Sequence, residues 1–230
     1  MNWRVLVDQT QVRLLARSSL VTRRFLLFEL VTRALCDIKL NADAVYLFGE
    51  TADNQQSVLQ KGADLLKCGR VQSILIPSFG PVVGFPGFEA WHKELQQLGV
   101  PHSKICPVDE QKQGRQANTL TEATDLVRYA NRAGLPSMIV VGAPFHQLRC
   151  FLSTIGQVLK QGTSLKVYSE PGITLPYNEY VVHSQGIERD TRAGLITKEV
   201  LSTIVYMLKG DLPRPKKALA YLNRRDTQEK

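Results

Sequence analysis

Asn118, Thr119, Glu122, His146 and Arg149 are the residues whose types and spacing point to chemistry. Histidine accepts and donates protons near neutrality. Arginine offers a planar fork that matches a carboxylate or phosphate. His146 and Arg149 are three positions apart, so a helix beginning at His146 puts both on one face. They read as an acid/base beside a charge clamp, or as a structural histidine and an arginine salt-bridged to Glu110 or Glu122. Thr119-Leu120-Thr121-Glu122 has the spacing of a capping box, with the Thr119 hydroxyl accepting from the third amide of the helix and Glu122 reaching back. That spacing accounts for Thr119 and Glu122 without a ligand. It leaves Asn118 to present its amide at a helix start, where free N–H groups favour an anion.

The elements that must position these residues follow from hydrophobic patterning. Short apolar runs at 44–48, 72–76, 104–108, 137–142 and 164–168 read as buried parallel strands. Helical spacing fills the intervals to about Lys67, from Phe88 to Leu98, from Thr119 to about Ala133 and from about His146 to Lys160. This alternation predicts a three-layer α/β/α Rossmann-like fold with a mainly parallel five-stranded sheet. Added helices are expected at both ends: one or two over 9–37, including Leu14 and Leu15, and one over 188–209. The last has Leu195, Ile196, Val200, Ile204, Val205 and Leu208 as its apolar stripe. The expected organisation is an N-terminal helical segment packed on the core (1–40), an α/β domain with its C-terminal helix (41–210), and a loosely held basic tail (211–230) containing Pro213 and Pro215. Residues 170–187 read as irregular. The Gly- and Pro-rich loop at 77–87 carries Phe79 and Phe85 and leads into Phe88, which either cover a ligand or pin the loop to the core.

The formal charge is +8, unevenly placed: +4 in residues 1–40 and +3 in residues 211–230. Basic ends of this kind can touch an acidic partner or an anionic membrane surface, or stand as solvated helix faces. No basic motif interleaved with aromatics supports nucleic-acid binding. Cys36, Cys68, Cys106 and Cys150 are far apart and lack metal-ligand spacing. Cys106 and Cys150 adjoin apolar runs and read as reduced core residues, which favours a cytoplasmic location. No secretory leader and no apolar run long enough to span a bilayer is visible. His92, His102 and His183 show no partner spacing. Gly49 belongs to neither a G-x-G-x-x-G nor a P-loop pattern, no acid closes the second strand, and no G-x-S-x-G elbow occurs.

Taken in order, these motifs resemble the YdcF/SanA/ElyC-like family. The first strand ends at Gly49 and the second at Ser78-Phe79-Gly80. A helix opens with Glu89-Ala90 and is followed by Leu98-Gly99-Val100-Pro101. Then come an acid at Glu110, Asn118-Thr119 with Glu122, and Phe145-His146-Gln147-Leu148-Arg149 after a strand. The resemblance covers residues 41–170, with a weaker likeness at 206–211. The arginine expected early in the helix after the first strand is replaced among Asn54, Gln55 and Gln56. The resemblance implies a Rossmann-like fold and a ligand site at the carboxyl edge of the sheet, drawn from Gly49, Ser78, Gly80, Glu89, Glu110, Asn118, Thr119 and Glu122. His146 and Arg149 are its expected catalytic residues if the protein is an enzyme. An anionic or nucleotide-type small molecule is the expected ligand. S-adenosylmethionine is the alternative cofactor implied by YdcF. A non-catalytic regulatory or envelope-associated factor, docking through the basic ends, is the alternative implied by SanA and ElyC.

Overall fold

The computed structural model describes residues 19–37, 41–82, 84–109, 118–183 and 188–227. Strands β1 (Ala44–Leu47), β2 (Ser73–Pro77), β3 (Ile105–Val108), β4 (Ser137–Val141) and β5 (Lys166–Ser169) form one parallel sheet in the order β3-β2-β1-β4-β5. Alternate residues of β1 enter different cores. Val45 and Leu47 pack under helices α2 (Gln55–Lys67) and α3 (Phe88–Gln97), with Leu59, Trp91 and Leu95. Ala44 and Tyr46 face α4 (Thr119–Arg132) and α5 (Gln147–Gln161), with Leu126 and Phe151. Both faces of the central strand are dry, which is why the strands read as continuous apolar runs. The expected three-layer Rossmann-like fold is the one observed.

The N-terminal helix α1 spans Ser19–Leu35 and buries Leu30 and Ala34 completely, while Phe25 and Phe28 are exposed. Residues 1–18, including Leu14 and Leu15, lie outside the described residues. Towards the C-terminus the chain differs from expectation. Residues 215–227 are a packed helix, α7 (Pro215–Thr227), with Ala218, Leu219, Tyr221 and Leu222 buried. Pro215 reads as a breaker but stands at the first helical position, where its missing N–H costs nothing. This helix closes the free edge of β5. Tyr221 Oη accepts from Val167 N–H and donates to Leu165 O, both at 2.8 Å, and Arg225 bonds Val167 O and Asp37. An edge strand left open would be a template for pairing with another chain.

A second difference lies between β5 and the next helix, where a hairpin forms from β6 (Tyr180–His183) and β7 (Glu188–Thr191). Helix α6 then begins at Arg192 and runs to Lys209. It presents Arg192, Leu195, Glu199 and Thr203 to the protein, one helical stripe that is mostly polar. Of the apolar stripe expected to lie inward, Leu195 alone is buried; Ile196, Val200, Ile204, Val205 and Leu208 are exposed. The polar groups win the inward face because Arg192 and Glu199 find buried partners there. The 78–87 loop is pinned to the core: Phe85 is buried edge-on against Phe79 and Trp91, with ring centroids 5.0 and 4.8 Å apart. Cys150 is buried, Cys106 half-buried, and Cys36 and Cys68 exposed, all four as free thiols. No described helix is long and apolar enough to cross a membrane.

Candidate active site

Strand order reverses between β1 and β4, and the loops leaving these two strands meet at the edge where α/β sheets bind ligands. β1 delivers Phe48-Gly49-Glu50, held against β4 by Phe48 N–H to Val141 O. β4 delivers Gly142-Ala143, and a turn sets His146 as the N-cap of α5. Close approach fixes the turn. A Cβ on Gly142 would lie 2.7 Å from Cys150 Sγ, so the strand end packs on α5 only through glycine. Gln147, fully buried, accepts from Gly142 N–H and donates to Val140 O and Ser169 Oγ.

Glu50 and His146 meet at this edge, both buried. Glu50 Oε1 accepts from Ala143 N–H at 2.9 Å and from His146 Nδ1 at 2.9 Å. With the proton on Nδ1, Nε2 is left as an acceptor, and the Thr119 hydroxyl donates to it at 3.1 Å. Thr119 Oγ1 in turn accepts from Arg149 Nη1 at 2.8 Å. Arg149 is itself held by Glu199 in a two-pronged pair, Nε to Oε2 at 2.7 Å and Nη2 to Oε1 at 2.8 Å. His183 Nε2 donates to Glu199 Oε1 at 2.9 Å, and its ring lies edge-on to His146. Glu50 Oε2 is buried without a hydrogen-bond partner among the described residues, 4.0 Å from His183 Nδ1.

The hairpin and α6 supply the far wall of the site. Thr51 and Asn54 bond Val182 O, Asp53 accepts from Val182 N–H, and buried Arg192 ties Asn54 Oδ1 to Pro176 O and Asp53 O. Asn54 is one of the positions where the family resemblance expects arginine; here an arginine from α6 reaches Asn54 instead.

The start of α4 corrects the expected capping box. Asn118 is the N-cap: its Oδ1 accepts from the Leu120 and Thr121 amides, and Thr121 Oγ1 returns the bond to the Asn118 amide. Asparagine in extended backbone makes these bonds directly, which displaces Thr119 to the first helical position. Thr119 and Glu122, expected to be consumed by the cap, are the two that reach the site. Glu122 Oε2 accepts from Gly49 N–H at 2.9 Å and from Tyr46 Oη at 3.2 Å.

Environment drives the ionisable groups apart. Burial pushes the Glu122 carboxyl up to about 8, against the hydrogen bonds from Gly49 and Tyr46. Burial and the neighbouring Arg149 push the His146 ring below its ordinary value, against Glu50 and Glu199. Burial alone would raise Glu50, but His146, His183 and the Ala143 N–H outweigh it and hold the carboxyl below its usual range. Glu199 is held down in the same way, its burial outweighed by His146, His183 and Arg149. At neutral pH Glu122 is then a protonated carboxylic acid and the His146 ring is neutral, while Glu50 and Glu199 are carboxylates beside the Arg149 guanidinium. Two titratable groups displaced in opposite directions are the signature of an acid and a base with assigned roles.

Of the residues expected here, Gly49, Thr119, Glu122, His146 and Arg149 come together and Asn118 caps the helix beside them. Ser78 donates its N–H to Val108 O, and Gly80 and Glu89 are exposed; none of these three bonds to the Glu50–His146 network. Glu110 lies outside the described residues. Among the described residues the salt-bridge partner of Arg149 is Glu199, rather than Glu122. Glu50, His183 and Glu199 escape the sequence reading. Glu50 alone had a signal, an acid directly after the Gly49 turn that ends β1.

A separate groove of about 810 Å³ runs between the ends of α5 and α6 and the start of α7, where Lys160, Lys209, Arg214, Lys216 and Lys217 line it. None of the network residues lines that groove. Among the described residues no group of three or more His, Cys, Asp or Glu is arranged to hold a metal ion. Protein-family models, curated proteins and solved structures contain no match to this chain.

Proposed function

We propose that this protein is an enzyme that performs proton transfer on a small molecule bound at the carboxyl edge of the sheet, between β1 and β4. The observation that carries this reading is the directed chain Thr119–His146–Glu50, in which a neutral imidazole has its free nitrogen aimed at a hydroxyl and its other nitrogen fixed by a carboxylate. His146 is the base and Glu122 the acid. Arg149 is neutralised by Glu199, so its part is to orient Thr119 and polarise whatever oxygen occupies that place. The motif order shared with the YdcF/SanA/ElyC-like family supports the same edge as the ligand site.

Ligands of the nucleotide or sugar-phosphate type remain the class suggested by that likeness. S-adenosylmethionine is a second reading, favoured by one observation: two carboxylates against one guanidinium suit a sulfonium cation. Native mass spectrometry of the purified protein identifies the molecule that travels with it. Calorimetry with nucleotides, sugar phosphates and S-adenosylmethionine ranks the classes. His146→Asn keeps a donor for Glu50 and removes the base. It is expected to fold as wild type and to lose about 100-fold or more in turnover of the identified molecule. Equal turnover in the variant overturns the assignment.

A further inference from the structure

A hydroxyl at the start of a helix is ordinarily spent on capping. Thr119 is not: Asn118 and Thr121 complete the cap without it. Its hydroxyl sits between an imidazole nitrogen that accepts its proton at 3.1 Å and a guanidinium that donates to its oxygen at 2.8 Å. The imidazole is backed in turn by a buried carboxylate at 2.9 Å. Nucleophile, base and orienting acid in hydrogen-bonded sequence constitute the arrangement that activates a hydroxyl for covalent catalysis, on whatever fold it occurs. Here the three come from three elements: the first turn of α4, the N-cap of α5 and the loop after β1. The positive end of the α4 dipole and the Arg149 Nη1 group both favour negative charge on the threonine oxygen and on the oxygen next to it.

We propose that Thr119 is the nucleophile of an acyl-transfer reaction at this site, acting on a carboxylic ester, with His146 as its base and Glu50 as the group that orients the ring. The proposal rests on the acid–base reading of the same site. Thr119 Oγ1 bonds to the carbonyl carbon while its proton passes to His146 Nε2 and the carbonyl π pair moves to oxygen. That pair returns as the bond to the leaving oxygen breaks, and His146 Nε2 gives its proton to the departing alcohol, which leaves a threonyl ester. Water then attacks the ester carbonyl and gives a proton to His146 Nε2. Thr119 departs carrying that proton, and the carboxylic acid is released. The charge balance selects the reacting group: a phosphate dianion at the reacting centre would meet Glu50 and Glu199, of which a single guanidinium offsets one, whereas a neutral carbonyl develops one negative charge that the proton gained by His146 offsets.

The test uses the full chain with p-nitrophenyl acetate and, separately, a fluorophosphonate. Wild type and Thr119→Ser are expected to release p-nitrophenol and to gain the acetyl or phosphonyl group, mapped by peptide mass spectrometry to position 119. Thr119→Val, of nearly the same shape, is expected to lose the label and about 100-fold or more of the release rate. Circular dichroism and thermal melting check that it folds. Absence of modification at position 119 by both reagents in wild type overturns the proposal, as does an undiminished release rate in Thr119→Val. If Thr119→Val retains turnover of the molecule found with the protein while His146→Asn loses it, the nucleophile is wrong and the acid–base site stands. If both variants retain it, both readings fall.

Discussion

Asn118 Oδ1 accepts the Thr121 amide at 3.0 Å, and that bond is what releases Thr119 from capping α4. The helix start and the site are therefore coupled: the cap fixes the first turn, and the first turn aims the Thr119 hydroxyl at His146. Asn118→Ala is expected to cost about 1 kcal/mol of stability, the usual value of a lost N-cap. Urea denaturation measures it. A change within a few tenths of a kcal/mol would mean that another group caps the helix.

Arg149 and Glu199 tie α6 to α5 through a buried two-pronged ion pair. Removing one partner leaves a charge buried without compensation, which costs about 3–5 kcal/mol. Arg149→Ala is expected in that range. The double change Arg149→Met with Glu199→Leu is expected to cost less than the single change, because no unpaired charge remains. A double variant as damaged as the sum of its parts would place the stabilising contact elsewhere.

Glu122 makes stability depend on pH in a direction opposite to most carboxylates. Its folded-state pKa of about 8 lies above the ordinary value of 4.5. Between these values the folded protein holds a proton that the unfolded chain has released. Stability is then greatest below about pH 4.5 for this group, falls as pH rises through the window to 8, and is flat above it. The slope is at most about 1.4 kcal/mol per pH unit. Glu122→Gln is expected to flatten the profile of melting temperature between pH 5 and 8. An unchanged profile would show that Glu122 is ionised in the folded protein.

The parallel sheet was legible because β1, β2 and β4 are dry on both faces, and a run such as Met138 to Val141 has no other stable use at that length. His146 and Arg149 were legible because strand ends and helix starts in this architecture converge on one edge. What the sequence concealed was decided by partners far along the chain. Thr119 and Asn118 compete for one cap, and both fit the statistics; the geometry of the Asn118 side chain decides it. Glu199 lies on a helix whose apolar residues outnumber its polar ones, so periodicity turns the helix the wrong way. Arg149 and His183 supply the interactions that bring Glu199 inward. The closing helix α7 was hidden because a proline reads as a terminator unless it stands first in the helix that follows. The groups that complete the site thus belong to elements whose orientation depends on buried polar pairing, which no local pattern records.

The proposed role of His146 as base requires a neutral ring whose Nε2 carries no proton. Nitrogen-15 NMR of the imidazole tests it without any ligand. At pH 7 to 8 the ring is expected to be neutral, with the proton on Nδ1 and the acceptor shift on Nε2. Glu50→Gln is expected to disturb that tautomer. A ring that is doubly protonated at pH 7, or that carries its proton on Nε2, would contradict the account.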